Sequence, residues 1–195
     1  MAKRVTPLAG IAQPLTQWYL AHERAFPWRT QPSPYRVWVS EIMLQQTRIE
    51  AALPYFERFM AALPTIRDLA EAPEDVILKL WEGLGYYSRV RNLQKAAQAV
   101  MRDYGGELPS EYEALRKLPG IGDYTAGAIA SMAFGKREAA VDGNVLRVLA
   151  RLTDDDRDVM QTVPNSDTTG ISAGFSAWRS TIVEPGRPFA RAVRM

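Results

Sequence analysis

Leu118-Pro119-Gly120-Ile121-Gly122, continued by Asp123-Tyr124-Thr125-Ala126-Gly127 and, one helix length on, by Val141-Asp142-Gly143-Asn144, is the stretch whose reading decides the fold. A tight glycine turn lies between two helical patterns. Gly120 and Gly122 permit backbone conformations with positive φ and carry no side-chain bulk, so amide N–H groups there can approach a ligand closely. The following helix adds its unpaired N-terminal donors and the positive end of its dipole, a combination suited to a phosphate. A bare glycine turn is also an ordinary corner between helices. Leu115 and Leu118 before it and Tyr124-Thr125-Ala126 after it tip the reading towards a clamp on a nucleic-acid phosphate, with Asp142 delivering a carboxylate beside it.

Helical signals continue on both sides of the turn. Ser33-Pro34 is a cap followed by a first-turn proline, which predicts a helix from about Tyr35 to Gln46. Arg48 to Met60, Glu74 to Trp81 and Ser88 to Tyr104 follow, divided by Pro64, Pro73 and Gly83-Leu84-Gly85. Ser110-Glu111-Tyr112-Glu113 fits a capping box for a short helix ending at Pro119-Gly120. Further helices are predicted from about Asp123 to Phe134 and from just after Asp142, the last carrying Val145, Leu146, Val148, Leu149 and Leu152. Leu15, Trp18 and Tyr19 mark a packing helix near the N-terminus. No alternating strand pattern or hairpin dipeptide occurs, so the chain reads as all-α.

With 195 residues, 47% of them hydrophobic, the chain can bury a core as one domain or as two small helical modules. The formal net charge of +2 does not by itself demand a polyanionic partner, so local placement has to make that case. No apolar run approaches the roughly 20 residues of a membrane helix. Met1 to Gly10 also lacks the apolar stretch of a secretory signal. A cytoplasmic protein without a membrane partner is expected, nucleoid-associated if bacterial. The absence of cysteine excludes disulfides, thiolate zinc sites and thiol nucleophiles. A serine–histidine pair would require His22, the single histidine.

Three groups of residues are candidates for chemistry. On a helical wheel Glu41 and Gln45 fall away from the polar Arg36 and Ser40, with Val37 and Leu44 on one side and Trp38 on the other. Among apolar neighbours a carboxylate is desolvated and favours its protonated form, which makes Glu41 a general-acid candidate; at a helix edge it would simply tip into solvent. Asp142 is placed to cap a helix, and a capping aspartate is also held rigidly enough to face a developing cation. The pair follows the two-carboxylate logic of glycoside cleavage. Gln45-Gln46-Thr47-Arg48 and Gly83-Leu84-Gly85-Tyr86-Tyr87-Ser88-Arg89 form the third group. Its amide and aromatic side chains suit the gap left by an extruded base, and Arg29, Arg48, Arg89, Arg91 and Lys117 suit phosphates. The same tyrosines could instead pack in the core, and the arginines could form a solvated face.

Phe26-Pro27-Trp28-Arg29, Pro34 to Thr47 (PYRVWVSEIMLQQT), Glu82 to Arg89 (EGLGYYSR), Leu118 to Ala128 (LPGIGDYTAGA) and Val141 to Val145 (VDGNV) closely resemble adenine DNA glycosylases of the MutY type, within the helix-hairpin-helix glycosylases. The likeness runs in order from about residue 11 to 158. It implies two all-α modules flanking a cleft that binds double-stranded DNA and a flipped adenine. The adenine would be mispaired with 8-oxoguanine or guanine, and its N-glycosidic bond would be hydrolysed by a monomer. By the resemblance Glu41 protonates adenine N7 and Asp142 stabilises the sugar cation or a covalent intermediate, with Tyr124 and Asn144 in support. Gln46 and Tyr86 match intercalating positions, and Arg29 lies near the adenine pocket. Thr47, Arg48, Tyr87, Arg89 and Thr125 join the DNA-binding set. Leu118, Gly120 and Gly122 belong to the phosphate clamp, and a monovalent cation is implied at hairpin 118–122. Bifunctional relatives of the endonuclease III type carry a lysine where this chain has Tyr124; a phenol cannot form a Schiff base, so a monofunctional enzyme is expected.

Family members usually carry a 4Fe-4S cluster on four cysteines and then a domain that reads 8-oxoguanine, and this sequence holds neither. The expected division is a glycosylase core over 1–158, with one module over about 33–136 (hairpin 115–134) and a second from 1–32 and 137–158. Residues 159–195 read as an atypical tail, the mark of a truncated or frame-shifted end. Val163 to Gly170 and Glu184 to Pro188 are loop-like there. Two alternatives stay open: an inactive DNA-binding remnant, and an endonuclease III-like glycosylase/lyase.

Overall fold

Pro34 opens α3 (Pro34–Leu44) because its missing N–H is one that a first helical turn leaves unpaired, and Ser33 Oγ accepts the Arg36 N–H at 3.2 Å. This helix is the hub. Trp38, Val39 and Met43 are fully buried, and α3 packs on α2 (Pro27–Thr30), α4 (Ile49–Ala62), α7 (Ser88–Asp103) and α9 (Asp123–Phe134). The computed structural model describes residues 11–153, with ten α-helices and no strand among them. The remaining helices are α1 (Ala12–His22), α5 (Ile66–Glu71), α6 (Glu74–Trp81), α8 (Tyr112–Arg116) and α10 (Gly143–Thr153). The predicted all-α class is therefore observed. The predicted tail over 159–195 lies outside the described residues.

The core is aromatic at its centre. Trp28 meets Phe56 edge-on at 5.0 Å and Phe59 meets Trp81 at 6.1 Å, the perpendicular geometry that ring quadrupoles favour. Leu69, Ile77, Leu93, Leu115 and Ile129 complete the packing without measurable exposure to water for most of their surface. Phe26 and Trp28 belong to this same core, tying the chain before α3 to the helices after it. Tyr35 is buried too, and its hydroxyl donates to the Leu63 carbonyl at 2.9 Å. Burial, with the Asp68 charge adding to it, pushes the Tyr35 phenol far above its ordinary pKa, so it remains a donor.

Several expectations are corrected. α3 stops at Leu44, not Gln46, because the backbone leaves helical geometry at Gln45 (ψ 114°) and turns left-handed at Gln46 (φ 57°). The capping box expected at Ser110 does not form. Glu111 precedes the helix instead, Ser110 Oγ donates to its carboxylate at 3.2 Å, and Lys136 pairs with that carboxylate at 2.7 Å. A capping box does exist at Thr65–Asp68, starting the unpredicted α5. Thr65 Oγ1 accepts the Asp68 N–H at 3.2 Å, and Asp68 Oδ2 accepts the Thr65 N–H at 3.0 Å. On α1 the expected packing residues Leu15 and Trp18 are exposed, Trp18 by 59%, with its ring stacked on His22.

Thr65→Ala should lower stability by about 1 kcal/mol, seen as a lower denaturant midpoint at constant m. Ser110→Ala should stay within about 0.5 kcal/mol of the parent. Equal losses for the two substitutions would contradict this capping assignment.

Candidate active site

Glu41 lies on the last turns of α3, 9% exposed, where α3 meets α9. Burial pushes its carboxyl pKa up; a hydrogen bond with the Tyr124 hydroxyl and the charge of Arg29 pull the other way without overcoming it. The proton is therefore favoured on Glu41 more than on a solvated glutamate. Tyr124, the second residue of α9, has its own pKa pushed well up by burial and then by the Glu41 and Asp142 charges. It stays a neutral hydrogen-bonding phenol.

Asp142 reaches the same place from the opposite direction. The segment leading to it crosses α9 over Gly127, so closely that a Cβ there would stand 2.1 Å from the Ala139 carbonyl oxygen. Only a glycine allows that crossing. Asp142 then caps α10: Oδ1 accepts the N–H groups of Asn144 at 3.0 Å and Val145 at 2.8 Å, and Oδ2 accepts the Asn144 amide at 2.8 Å. Three N–H donors on one carboxylate suit an anion held in a fixed orientation. Arg147, one turn further on, donates to Asn144 Oδ1 and completes a line from arginine to amide to carboxylate.

Two adjoining cavities share Glu41, Leu44, Tyr124 and Asp142. One, of about 590 Å³, is also lined by Asn144, Gln46 and Tyr86. The other, of about 580 Å³, adds Trp28, Arg29 and Met132. The structure thus brings Glu41, Tyr124, Asp142 and Asn144 together on a single cavity, with Arg29 on its neighbour. Gln46 (φ 57°) and Tyr86 (φ 49°) stand at the rim and are the two non-glycine residues with positive φ among those described. Such conformations cost on the order of 1–3 kcal/mol each and persist where surrounding structure enforces them. Tyr86 is 65% exposed.

Other predicted contacts fall differently. Arg48 is exposed just before α4, and Thr47 Oγ1 donates to the Gln45 carbonyl at 3.4 Å. Tyr87 is partly exposed but lines a separate groove with Lys79 and Arg91, and Arg91 pairs with Glu74 at 2.7 Å. Thr125, at 3% exposure, faces inward and accepts the Gln45 amide at 3.4 Å. Arg89 lines the first cavity, and its guanidinium turns onto backbone carbonyls, among them Ile42 at 3.1 Å and Leu84 at 3.0 Å. In the hairpin, Gly120 has φ +77° and a Cβ would come within 2.8 Å of Asn92 Cβ. Gly122 has φ −89°, so positive φ is needed only at Gly120; a Cβ at Gly122 would meet nothing within 4 Å, which leaves that face open. Leu118 is buried, its carbonyl accepting the Ile121 N–H at 3.2 Å, while Lys117 lines a groove beside it with Lys95. Sequence reasoning missed Arg147, although its spacing of three from Asn144 on a helix was a usable signal.

A 4Fe-4S cluster requires thiolate ligands. The chain has no cysteine, and the described residues contain no group of three or more His, Asp or Glu side chains able to hold a metal ion, so the donor set does not fit that group.

Two helices joined by a glycine hairpin, with a buried acid and a capped carboxylate on one cavity, define a helical protein of the base-excision type. The chain belongs to the HhH-GPD superfamily of base excision DNA repair proteins, which matches residues 39–163. It is 42% identical over 183 residues to the adenine DNA glycosylase of Homo sapiens, an alignment covering 89% of this chain and 32% of the human protein. It is 44% identical over 140 residues to that of Buchnera aphidicola subsp. Baizongia pistaciae, covering 71% of this chain and 40% of the relative. The chain thus spans between about a third and two fifths of the length of these curated relatives. Among solved structures, a thermostable thymine-DNA glycosylase superposes with a TM-score of 0.68 at 26% identity, covering 92% of this chain and 88% of that one. An endonuclease III in a non-covalent DNA complex superposes at 0.70 and 22% identity, covering 99% and 85%, and shares the fold.

Gly127→Ala should destabilise the protein by about 1–3 kcal/mol through the Ala139 clash; an unchanged melting temperature would contradict the crossing. Because the folded-state pKa of Glu41 lies above its unfolded value, ionising it costs stability. That cost is absent below the unfolded pKa and complete above the folded one. The melting temperature of Glu41→Gln relative to the parent should therefore rise with pH across that interval and then level off. A difference that stays flat with pH would show that Glu41 is not desolvated.

Proposed function

We propose that the chain carries the catalytic core of a monofunctional adenine DNA glycosylase. It hydrolyses the N-glycosidic bond of adenine mispaired with 8-oxoguanine or guanine in double-stranded DNA, acting as a monomer. The observation that carries the reading is the convergence of a buried, proton-favouring Glu41 and an N–H-bound Asp142 on one cavity. The names of the sequence relatives support adenine as the base.

In this mechanism Glu41 gives its proton to adenine N7. The glycosidic bond then breaks with its electron pair leaving on the base, and positive charge develops on the sugar facing the Asp142 carboxylate. Water adds at the anomeric carbon and its proton passes to solvent, from which Glu41 is reprotonated, leaving free adenine and an abasic site. Tyr124 holds the Glu41 carboxyl through its hydroxyl, and Asn144 steadies Asp142. Gln46 and Tyr86 enter the space vacated by the flipped nucleotide, Arg29 borders the base pocket, and Arg48 with the open face at Gly122 meets phosphates. Backbone carbonyls of hairpin 118–122 would be the donors for a monovalent cation.

Incubation with a duplex containing one A·8-oxoguanine pair tests this. Adenine release without strand scission is expected, falling by on the order of 10²–10⁴-fold in Glu41→Gln and strongly in Asp142→Asn. The single-turnover rate should fall as pH rises through the elevated Glu41 pKa. Salt-sensitive binding without release would replace this reading with a DNA-binding remnant, and scission would replace it with a glycosylase/lyase.

A further inference from the structure

Arg89 is the second residue of α7, half-buried, yet it forms no ion pair among the described residues. Its Nη1 donates to the carbonyls of Ile42 at 3.1 Å, Met43 at 3.2 Å and Gln45. Its Nη2 donates to Leu84 at 3.0 Å and Gly85 at 3.2 Å. The first three are carbonyls at the C-terminal end of α3, which the helix leaves without partners, and a cation is favoured there. The other two precede Tyr86, whose ring lies 5.6 Å from the guanidinium while Trp81 lies 5.4 Å away. Trp81 Nε1 adds a second hydrogen bond to the Gly85 carbonyl at 3.1 Å.

The register of these contacts is informative. The carbonyl of Gln45 shares a peptide plane with the N–H of Gln46, and the carbonyl of Gly85 shares one with the N–H of Tyr86. Turning either plane changes φ of the residue that follows. Those residues are the two non-glycine positions with positive φ among the described residues. A planar fork with donors on two nitrogens holds the two planes in one fixed geometry, whereas an ammonium carries three rotatable donors on a single nitrogen and fixes neither plane relative to the other.

We propose that Arg89 is a positioning residue: one guanidinium locks the peptide planes before Gln46 and Tyr86, and so sets the two rim side chains as a single wedge at a fixed distance from Glu41. This rests on the reading that both side chains enter the DNA stack. The guanidinium does not contact phosphate, which reverses the role its charge suggests.

The test uses the full chain and a duplex with an A·8-oxoguanine pair flanked by 2-aminopurine, whose fluorescence rises when stacking is broken. Arg89→Lys should lose most of that rise and slow single-turnover release by on the order of 10²-fold, the scale of a misplaced reacting group. In Arg89→Met, which removes the charge, affinity for undamaged duplex and its salt slope should match those of the parent and the exposed control Arg67→Met. Recovery of parental fluorescence and rate in Arg89→Lys, or a salt slope shallower by about one in Arg89→Met, would overturn the proposal and make Arg89 a phosphate contact. Gln46→Ala and Tyr86→Ala in the same assay separate the two readings. If neither lowers the fluorescence rise, the wedge itself is wrong; if both do while Arg89→Lys does not, the lock is wrong. Should Arg89→Lys fail to fold, side-chain nitrogen NMR of the unsubstituted protein decides. Hindered rotation of the Arg89 guanidinium is expected, and rotation as free as that of Arg67 refutes the lock.

Discussion

A carboxylate moved from water into a protein interior loses several kcal/mol of hydration unless partners replace it, and otherwise keeps its proton. Glu41 is in that position, and the arrangement around the cavity follows from it. The partners supplied are a neutral phenol and an arginine acting at a distance, neither of which amounts to a full ion pair. Asp142 faces the same cavity with three N–H donors on its oxygens. Two carboxylates in one space thus have opposite surroundings, the condition under which one acts as an acid and the other as an anion.

Helix packing alone could not bring them together. Asp142 arrives on an irregular segment that passes over α9 at Gly127, and the contact is so close that no side chain fits between. Glu41 arrives on α3, whose far end is joined to α9 through Gln45 and Thr125. Strained backbone gathers on the rim of the same cavity, at Gln46 and Tyr86. The aromatic core under α3, α4 and α6 is regular by contrast. A regular helix carries Glu41, and backbone irregularities deliver Asp142 and shape the rim of the cavity.

Local chemistry determined much of what could be read from the chain alone. The absence of alternation and the Ser33-Pro34 start are signals carried by a few neighbouring residues. The bounds of α6 and α9 match expectation for that reason. The helix-capping aspartate at 142 was legible on the same grounds. Where reading failed, a distant partner intervened. At α8 the Ser110 hydroxyl is turned onto the Glu111 carboxylate, which Lys136 also holds, and Glu111 takes the cap position one residue later than the supposed box; the non-helical turn at Gln45 and Gln46 cuts α3 short. Arg89 and Thr125 look like surface residues in sequence because nothing nearby reveals the carbonyls and the Gln45 amide that claim them.

Sequence by itself determined the helical class, the hairpin, and which acidic residues were worth attention, since propensity, capping and glycine geometry act over a few residues. Tertiary structure alone decided that Glu41 is buried rather than tipped into solvent, and that the Arg89 guanidinium is turned onto backbone carbonyls. It also decided that residues about a hundred positions apart line one cavity. Desolvation and the satisfaction of buried donors depend on everything packed around a group, and that information is spread over the whole chain.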